Sequence, residues 1–457
     1  MLTTSIFKAN DIRGIVGGPE AEWDVAGATA LGRAYVDVAG LAGETFVMSR
    51  DMRTSGPELS QAFARGATQG GASVVDVGLA STDELWFASG HLGLPGVQFT
   101  ASHNPARYNG AKFCKVGAKP VTSDFLDELR TRAMAYDAEG LPGPVAEPGT
   151  VTTQDILGEY GSYLRSLVDL DGIRHLKVVV DAGNGMAGHT VPSVLGPLNV
   201  DVVGLYLDLD GSFPNHQPNP LEPQNLVDAQ NAVVEHHADL ALVFDGDADR
   251  CFVIDERGHV VSPSTITALI AAAELAREPG ATIVVNTITS RSVAEVVAEK
   301  GGTLVTSKVG HTYVKALMAE HGAIFGGEHS AHYYFRDFWG ADTGMLAGLH
   351  VLGLLGHAEV PLSILARSYQ RYVASGEINS RVDDQQATME KVAAAYEGRG
   401  EISWEDGLVV RGDRWWVSLR SSNTEPLLRL NVEAPDEATM VAWRDETLRL
   451  VRGEEKA

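Results

Sequence analysis

The densest chemistry in the chain lies in LALVFDGDADRCFVID, Leu240–Asp255, where three aspartates alternate with small residues between two apolar stretches. In an extended loop that spacing puts Asp245, Asp247 and Asp249 on one side, with Gly246 and Ala248 leaving room between them. Clustered carboxylates form an oxygen-only ligand set for a hard divalent cation, and Mg²⁺ commonly shares such ligands with substrate phosphates. A calcium EF-hand competes, since Glu256 falls at its twelfth position. Arg250, however, stands where that loop needs glycine, and the flanks read as strands. A solvated acidic turn is the plain alternative.

Four further segments carry reactive groups. TASHNP, Thr100–Pro105, sets Ser102 directly before His103. Adjacent side chains usually point apart, so His103 is not expected to serve as base for its neighbour. A hydrolase elbow reads G-x-S-x-G, whereas Thr100 and Asn104 occupy the glycine positions here; these six residues leave the role of Ser102 open. GGEHSAHYYF, Gly326–Phe335, read as an extended run, puts Glu328, Ser330 and His332 on one face, a set suited to the vicinal hydroxyls of a sugar. The bland reading is a strand with a mixed polar face. RSSNTEP, Arg420–Pro426, offers an arginine fork, hydroxyls and turn amides, which together make a phosphate cup. Its alternative is a polar turn closed by Pro426. SKVGHTYVK, Ser307–Lys315, adds Gly310 and His311 in a loop, a weak signal alone. A phosphatase of the haloacid-dehalogenase type, with Asp245 as nucleophile, is the reading from another enzyme class, but Asp249 stands where its D-x-D-x-T pattern has Thr.

These groups need elements to hold them. Three regions share a rhythm of apolar strand, polar or Gly-rich loop, then helix: Glu44–Ser49 with a helix from Pro57 to Gly70, Val178–Asp181 with a helix near His189–Leu195, and Thr282–Asn286 with a helix near Ser292–Lys300. Such alternation predicts mixed, mostly parallel sheets. Gly71–Gly78 and Gly302–Ser307 read as following strands. The Pro/Gly-rich stretch Leu141–Thr150 reads as a linker, and beyond Ser375 the pattern changes to a smaller α+β domain. The expected domains are 1–148, 149–256, 257–370 and 371–457, three similar and one different. A chain of 457 residues suits that number.

Composition narrows the function. With 44% hydrophobic and 21% charged residues the chain has ordinary globular content, and its net charge of -24 argues against nucleic acid or anionic membrane as partner. Any attraction for an anionic substrate must then come from local arginines, lysines and N–H groups. Two cysteines, Cys114 and Cys251, exclude a disulfide framework and suit a reducing cytoplasm. The N-terminal MLTTSIFKANDIRG lacks the apolar core of a secretory leader, and Ile266–Ala276 is too short to span a bilayer. The expectation is a cytoplasmic protein; oligomeric state is left open.

In combination, TASHNP, DGDADR, GEHSAH and RSSNTEP, in that order, resemble the α-D-phosphohexomutase family over essentially the whole chain, with FKANDIRG and NGAKF matching as well. The form GGEHSAHYYF is most similar to the bacterial phosphomannomutase and phosphoglucomutase branch, while phosphoglucosamine mutases usually have Gln where His329 stands. The resemblance implies four domains around a central cleft and hexose phosphates as substrates, mannose phosphates first and glucose phosphates also. Phosphoglucosamine mutase is the alternative within the family. It implies that Ser102 is carried as phosphoserine and that one Mg²⁺ is held by Asp245, Asp247, Asp249 and a Ser102 phosphate oxygen. Hexose 1,6-bisphosphate would serve as reorienting intermediate and activator. Arg13, His103 and Lys112 would surround the transfer site, Arg250 would lie beside the sugar, and Glu328 and Ser330 would hold its 3- and 4-hydroxyls. Gly310, His311 and His332 complete the expected set, with Arg420, Ser422, Asn423 and Thr424 on the phosphate that is not reacting. Asn10 departs from the family's usual Tyr, and the Lys often found after the third-domain strand is replaced near Thr287–Thr289. A phosphosugar-binding protein without catalysis would need neither SHNP nor the aspartates.

Overall fold

The computed structural model describes residues 1–421 and 427–453. The chain separates into two compact units. The first comprises Met1–Val261, Met318–Phe325 and Ser330–Leu365, and the second Ser262–Leu317, Gly326–His329 and the described residues from Ala366 onward.

The first unit holds two mixed sheets. One runs in the order Ile12–Ile15, Tyr108–Lys115, Gly96–Phe99, Thr45–Arg50, Ser73–Leu79, Val151–Thr153. Its middle strands are parallel, whereas Tyr108–Lys115 runs antiparallel to both of its neighbours. TFVMSR forms a strand because its β-branched and aromatic residues fit a pleated, buried surface. Pro57 in the first turn then starts the helix Gly56–Gln69, where its missing N–H is not needed. That helix packs against Val25–Ala39 so closely that a Cβ on Gly32 would lie 2.0 Å from Phe63 O. Tyr35, Phe46, Phe63, Phe99 and Phe113 fill the core beneath.

The second sheet runs Val260–Val261, Cys251–Asp255, Leu240–Phe244, Leu176–Asp181, Val200–Leu205. Leu240–Phe244 is buried throughout, as an uninterrupted apolar run should be in a central strand. It pairs parallel with Leu176–Asp181 and antiparallel with Cys251–Asp255. The aspartates therefore sit at a hairpin tip and not in a strand-to-helix crossover. Helix Gly344–His357, capped by Thr343, also belongs to this unit.

In the second unit Thr282–Asn286 and Thr303–Ser307 pair in parallel, flanked by helices Pro263–Arg277 and Arg291–Glu299. The C-terminal sheet is antiparallel, with strands Leu408–Arg411, Trp416–Ser421 and Leu427–Ala434 at its centre. Its helices Gln385–Ala395 and Glu437–Arg452 begin on the capping aspartates Asp384 and Asp436. The C-terminal domain is thus the expected departure from the earlier rhythm. Cys114 and Cys251 are both buried free thiols. Among the described residues no helix is long and apolar enough to cross a membrane.

Candidate active site

In the first unit, Ser102 lies in the turn between strands Gly96–Phe99 and Tyr108–Lys115 and is 1% exposed. Its φ of 49° falls in the left-handed region, which costs an L-residue about 1–2 kcal/mol. Thr100 Oγ1 accepts the Ser102 N–H at 2.9 Å, which helps hold the turn. The same bend corrects one expectation. Ser102 Oγ and His103 Nδ1 are 3.2 Å apart, so these neighbours meet because the backbone is not extended. Ser102 Oγ also donates to Asp245 Oδ2 at 2.9 Å.

The aspartates converge as expected, but on a turn in which Ala248 has φ 61°, not on an extended loop. One carboxylate oxygen from each of Asp245, Asp247 and Asp249 lies within 4.8 Å of the others. The glycine between the first two is required by contact: a Cβ on Gly246 would come 2.5 Å from Ser102 O. Lys112 Nζ spans Asp247 Oδ2 at 2.7 Å and Asp249 Oδ2 at 2.6 Å. Burial opposes the Lys112 charge, but these two carboxylates raise its pKa above the usual lysine range. Burial, with Asp249 and Asp247 adding repulsion, pushes the Asp245 carboxyl well above its ordinary value. Burial and the cations of Arg250 and Arg13 hold His103 well below its own.

Arg13 donates to Asn104 Oδ1 at 2.9 Å and pairs with Asp11 at 2.8 Å. It reaches the serine turn because Arg13 lies opposite Gly110 in the sheet register. Arg250 Nη2 is 3.4 Å from His103 Nδ1, and its Nε lies 3.6 Å from Asp245. His332 Nε2 stands 3.7 Å from Asp249 Oδ1, and its Nδ1 is 3.1 Å from Ser330 Oγ. Ser102, His103, Arg13, Lys112, the three aspartates, Arg250 and His332 are thus one neighbourhood.

The donor set fits a hard cation. Asp247 Oδ1 and Asp249 Oδ1 are buried with no hydrogen-bond partner among the described residues, and Arg250 Nε, likewise without a hydrogen bond, stands 3.8 Å from Asp249 Oδ1. Leaving a buried carboxylate oxygen unpaired is costly unless a cation or donor meets it.

The expected extended run Gly326–Phe335 is instead broken. Strand Phe325–Gly327 ends before a turn at His329 and Ser330, Ala331 has φ 64°, and the strand resumes at Tyr333. Glu328, Ser330 and His332 therefore do not follow a strand's alternation. In the second unit the buried Glu328 Oε1 accepts from Asn286 Nδ2 at 2.9 Å and Gly310 N at 3.2 Å. His311 opens the helix His311–His321 directly after Gly310. Asp406 Oδ2 accepts from Thr287 Oγ1 at 2.9 Å and Val309 N at 3.1 Å, tying the loops after the parallel strands. Arg420 pairs with Glu377 at 3.3 Å, and burial lowers its pKa. Ser422, Asn423 and Thr424 lie outside the described residues.

Sequence reasoning passed over several contributors. Thr82 Oγ1 donates to Asp247 Oδ2 at 2.6 Å, Asn286 orients Glu328, and Arg429 stands opposite Arg420 in the sheet register. Arg53, just beyond the strand Thr45–Arg50, donates to the carbonyls of Ser102 and Asn104 in the serine turn. The signal available was position: Arg53, Thr82 and Asn286 all lie at or just beyond strand ends, where α/β folds gather their sites.

Four family patterns match in succession. They are described as phosphoglucomutase/phosphomannomutase alpha/beta/alpha domain I over residues 4–139, domain II over 159–258, domain III over 262–372, and C-terminal domain over 377–450. A phosphomannomutase from Escherichia coli is 39% identical, with 99% of this chain and 100% of that protein aligned. A protein named phosphohexose mutases from Xanthomonas campestris is 38% identical over 99% and 100% of the two chains. A crystal structure of a phosphoglucomutase/phosphomannomutase family protein from Burkholderia thailandensis superposes with a TM-score of 0.89. It shares 34% identity and covers 100% of this chain and 99% of that one.

Proposed function

The chain belongs to the phosphoglucomutase/phosphomannomutase family, and from that premise we propose that it interconverts mannose 1-phosphate and mannose 6-phosphate, and glucose phosphates also, in the cytoplasm. The single observation that carries the reading is Ser102 Oγ at 2.9 Å from Asp245, beside a buried carboxylate cluster bridged by Lys112.

Phosphoserine 102 gives its phosphoryl group to the free end of a hexose monophosphate. The serine O–P bond breaks as a bond from phosphorus to the sugar oxygen forms, and the product is a hexose 1,6-bisphosphate. The intermediate turns end for end, and its other phosphate returns to Ser102. Asp245, Asp247 and Asp249 would hold Mg²⁺ together with a phosphate oxygen on Ser102; the ion's contribution is to neutralise charge on the transferring group. Arg13 and His103 hold the phosphoryl oxygens, and Lys112 handles the proton exchanged between the sugar hydroxyl and Ser102. Arg250 and His332 lie beside the sugar. Glu328 and Ser330 grip its 3- and 4-hydroxyls, assisted by Gly310 and His311. Arg420, with Ser422, Asn423 and Thr424, binds the phosphate that is not reacting. The bisphosphate also serves as activator, rephosphorylating any Ser102 that has lost its group.

Intact mass of the purified protein should show a species one phosphate heavier, mapping to Ser102. Ser102→Ala should remain folded and lose nearly all mutase activity. Full activity in that variant would move the nucleophile to Asp245 and overturn the proposal.

A further inference from the structure

Arg53 is an arginine enclosed in protein at 1% exposure, and every N–H of its guanidinium has an acceptor. Nε donates to Asp51 Oδ2 at 3.2 Å. Nη1 donates to the carbonyls of Pro105 and Tyr108, both at 2.9 Å. Nη2 donates to the carbonyls of Ser102 and Asn104, both at 2.7 Å. The Phe213 ring lies 5.2 Å from the guanidinium carbon and covers it. Asp51, itself fully buried, completes the lock by accepting the Arg53 backbone N–H at 2.9 Å. Beside this, Asn109 Nδ2 donates to Ser55 Oγ at 2.9 Å, pinning the end of the same segment.

Four of the five donors thus address the backbone of one turn, and that turn carries Ser102 in the left-handed region. No part of Arg53 is within bonding reach of Ser102 Oγ in these contacts; it holds the main chain from behind. A side chain that only balanced the Asp51 charge would not need to collect four carbonyls. A planar, five-donor fork is the one side chain that can do so, because lysine has three donors on a flexible stem.

We infer that Arg53 is a positioning residue that fixes the Ser102 turn, so that the serine oxygen keeps one geometry through both phosphoryl transfers. The inference rests on the phosphoserine reading above. Its consequence is selective: substrate hydroxyls and the distal phosphate are bound elsewhere, so loss of Arg53 should act on turnover far more than on KM.

The test uses the full chain with Arg53→Lys and Asp51→Asn. Asp51→Asn keeps the shape but turns an amide NH₂ toward one of two N–H donors, loosening the lock. Steady-state kinetics with mannose 1-phosphate and saturating bisphosphate should show kcat reduced about 10²-fold in Arg53→Lys, the size expected of a displacement near 1 Å, with KM little changed. Asp51→Asn should shift kcat the same way by less. The ³¹P NMR resonance of the phosphorylated protein should move toward that of a free phosphoserine peptide in Arg53→Lys. Folded Arg53→Lys with wild-type kcat and an unmoved resonance would overturn the inference, as would KM rising in step with any fall in kcat. If Arg53→Lys does not fold, Asp51→Asn decides by the same readouts. Absence of any ³¹P signal from the wild type, or activity in Ser102→Ala, would count against the phosphoserine instead, and the kcat comparison would still judge Arg53.

Discussion

Replacing Asp247 by asparagine probes the carboxylate cluster with the least disturbance to packing. Three donors converge on Asp247 Oδ2: Thr82 Oγ1 at 2.6 Å, Lys112 Nζ at 2.7 Å and Thr100 Oγ1 at 3.3 Å. Oδ1 has no partner among the described residues. Asparagine has one acceptor oxygen, and the three donors dictate that it takes the Oδ2 place. The NH₂ group then occupies the Oδ1 place, where a cation needs an oxygen. The fold keeps its hydrogen bonds while the site loses both a ligand and a charge. Loss of one charge-assisted contact costs about 1.5–3 kcal/mol, which at about 1.4 kcal/mol per tenfold is roughly a 10- to 10²-fold weaker site. Asp247→Asn should therefore need about 10- to 10²-fold more Mg²⁺ for half-maximal activity, with a thermal midpoint close to wild type. Titrating chelator-stripped protein with MgCl₂, with direct Mn²⁺ binding alongside, measures this. An unchanged Mg²⁺ requirement would refute the orientation argument and the metal assignment together.

Other outcomes follow from the same geometry. Arg420→Ala should lower kcat/KM by about 10- to 10²-fold if it removes the proposed charge-assisted phosphate contact; wild-type steady-state kinetics would remove Arg420 from the site. Side-by-side kcat/KM values for mannose, glucose and glucosamine 1-phosphates should rank the first two above the third, since the proposed reorientation would exchange the 3- and 4-hydroxyls and leave position 2 without an equivalent partner. Glucosamine phosphate as the best substrate would overturn the branch assignment and leave the phosphoserine mechanism standing. Burial, reinforced by the neighbouring Asp83 charge, raises the Glu84 carboxyl to about 8. The folded chain then binds more protons than the unfolded one between the ordinary glutamate value and about pH 8. Stability should fall as pH rises through that window, by up to about 1.4 kcal/mol per pH unit. Glu84→Gln, which can keep the capping box with Ser81, should flatten the slope in urea unfolding at pH 5–8, and an unaltered slope would contradict the burial argument.

Order along the chain and local alternation were enough to recognise much of this protein. LALVF must be a buried strand because an uninterrupted apolar run of that length has no polar face to expose, and the three aspartates after it have to share a short connection. The Asp384 and Asp436 caps, the helices that follow them and the change of architecture in the C-terminal domain are equally local, since each depends on residues a few positions apart. Tertiary structure decided what local spacing does not encode. Lys112 reaches Asp247 and Asp249 because two separate sheets bring their ends together, and Arg13 meets the serine turn through a strand register across nearly a hundred residues. Left-handed residues decided the rest: Ser102 turns toward His103, and Ala331 breaks the run from Glu328 to His332. A non-glycine residue takes that conformation only when its surroundings hold it there. Those surroundings, Arg53 among them, are assembled from distant parts of the chain, so no reading of the neighbouring letters could reveal them.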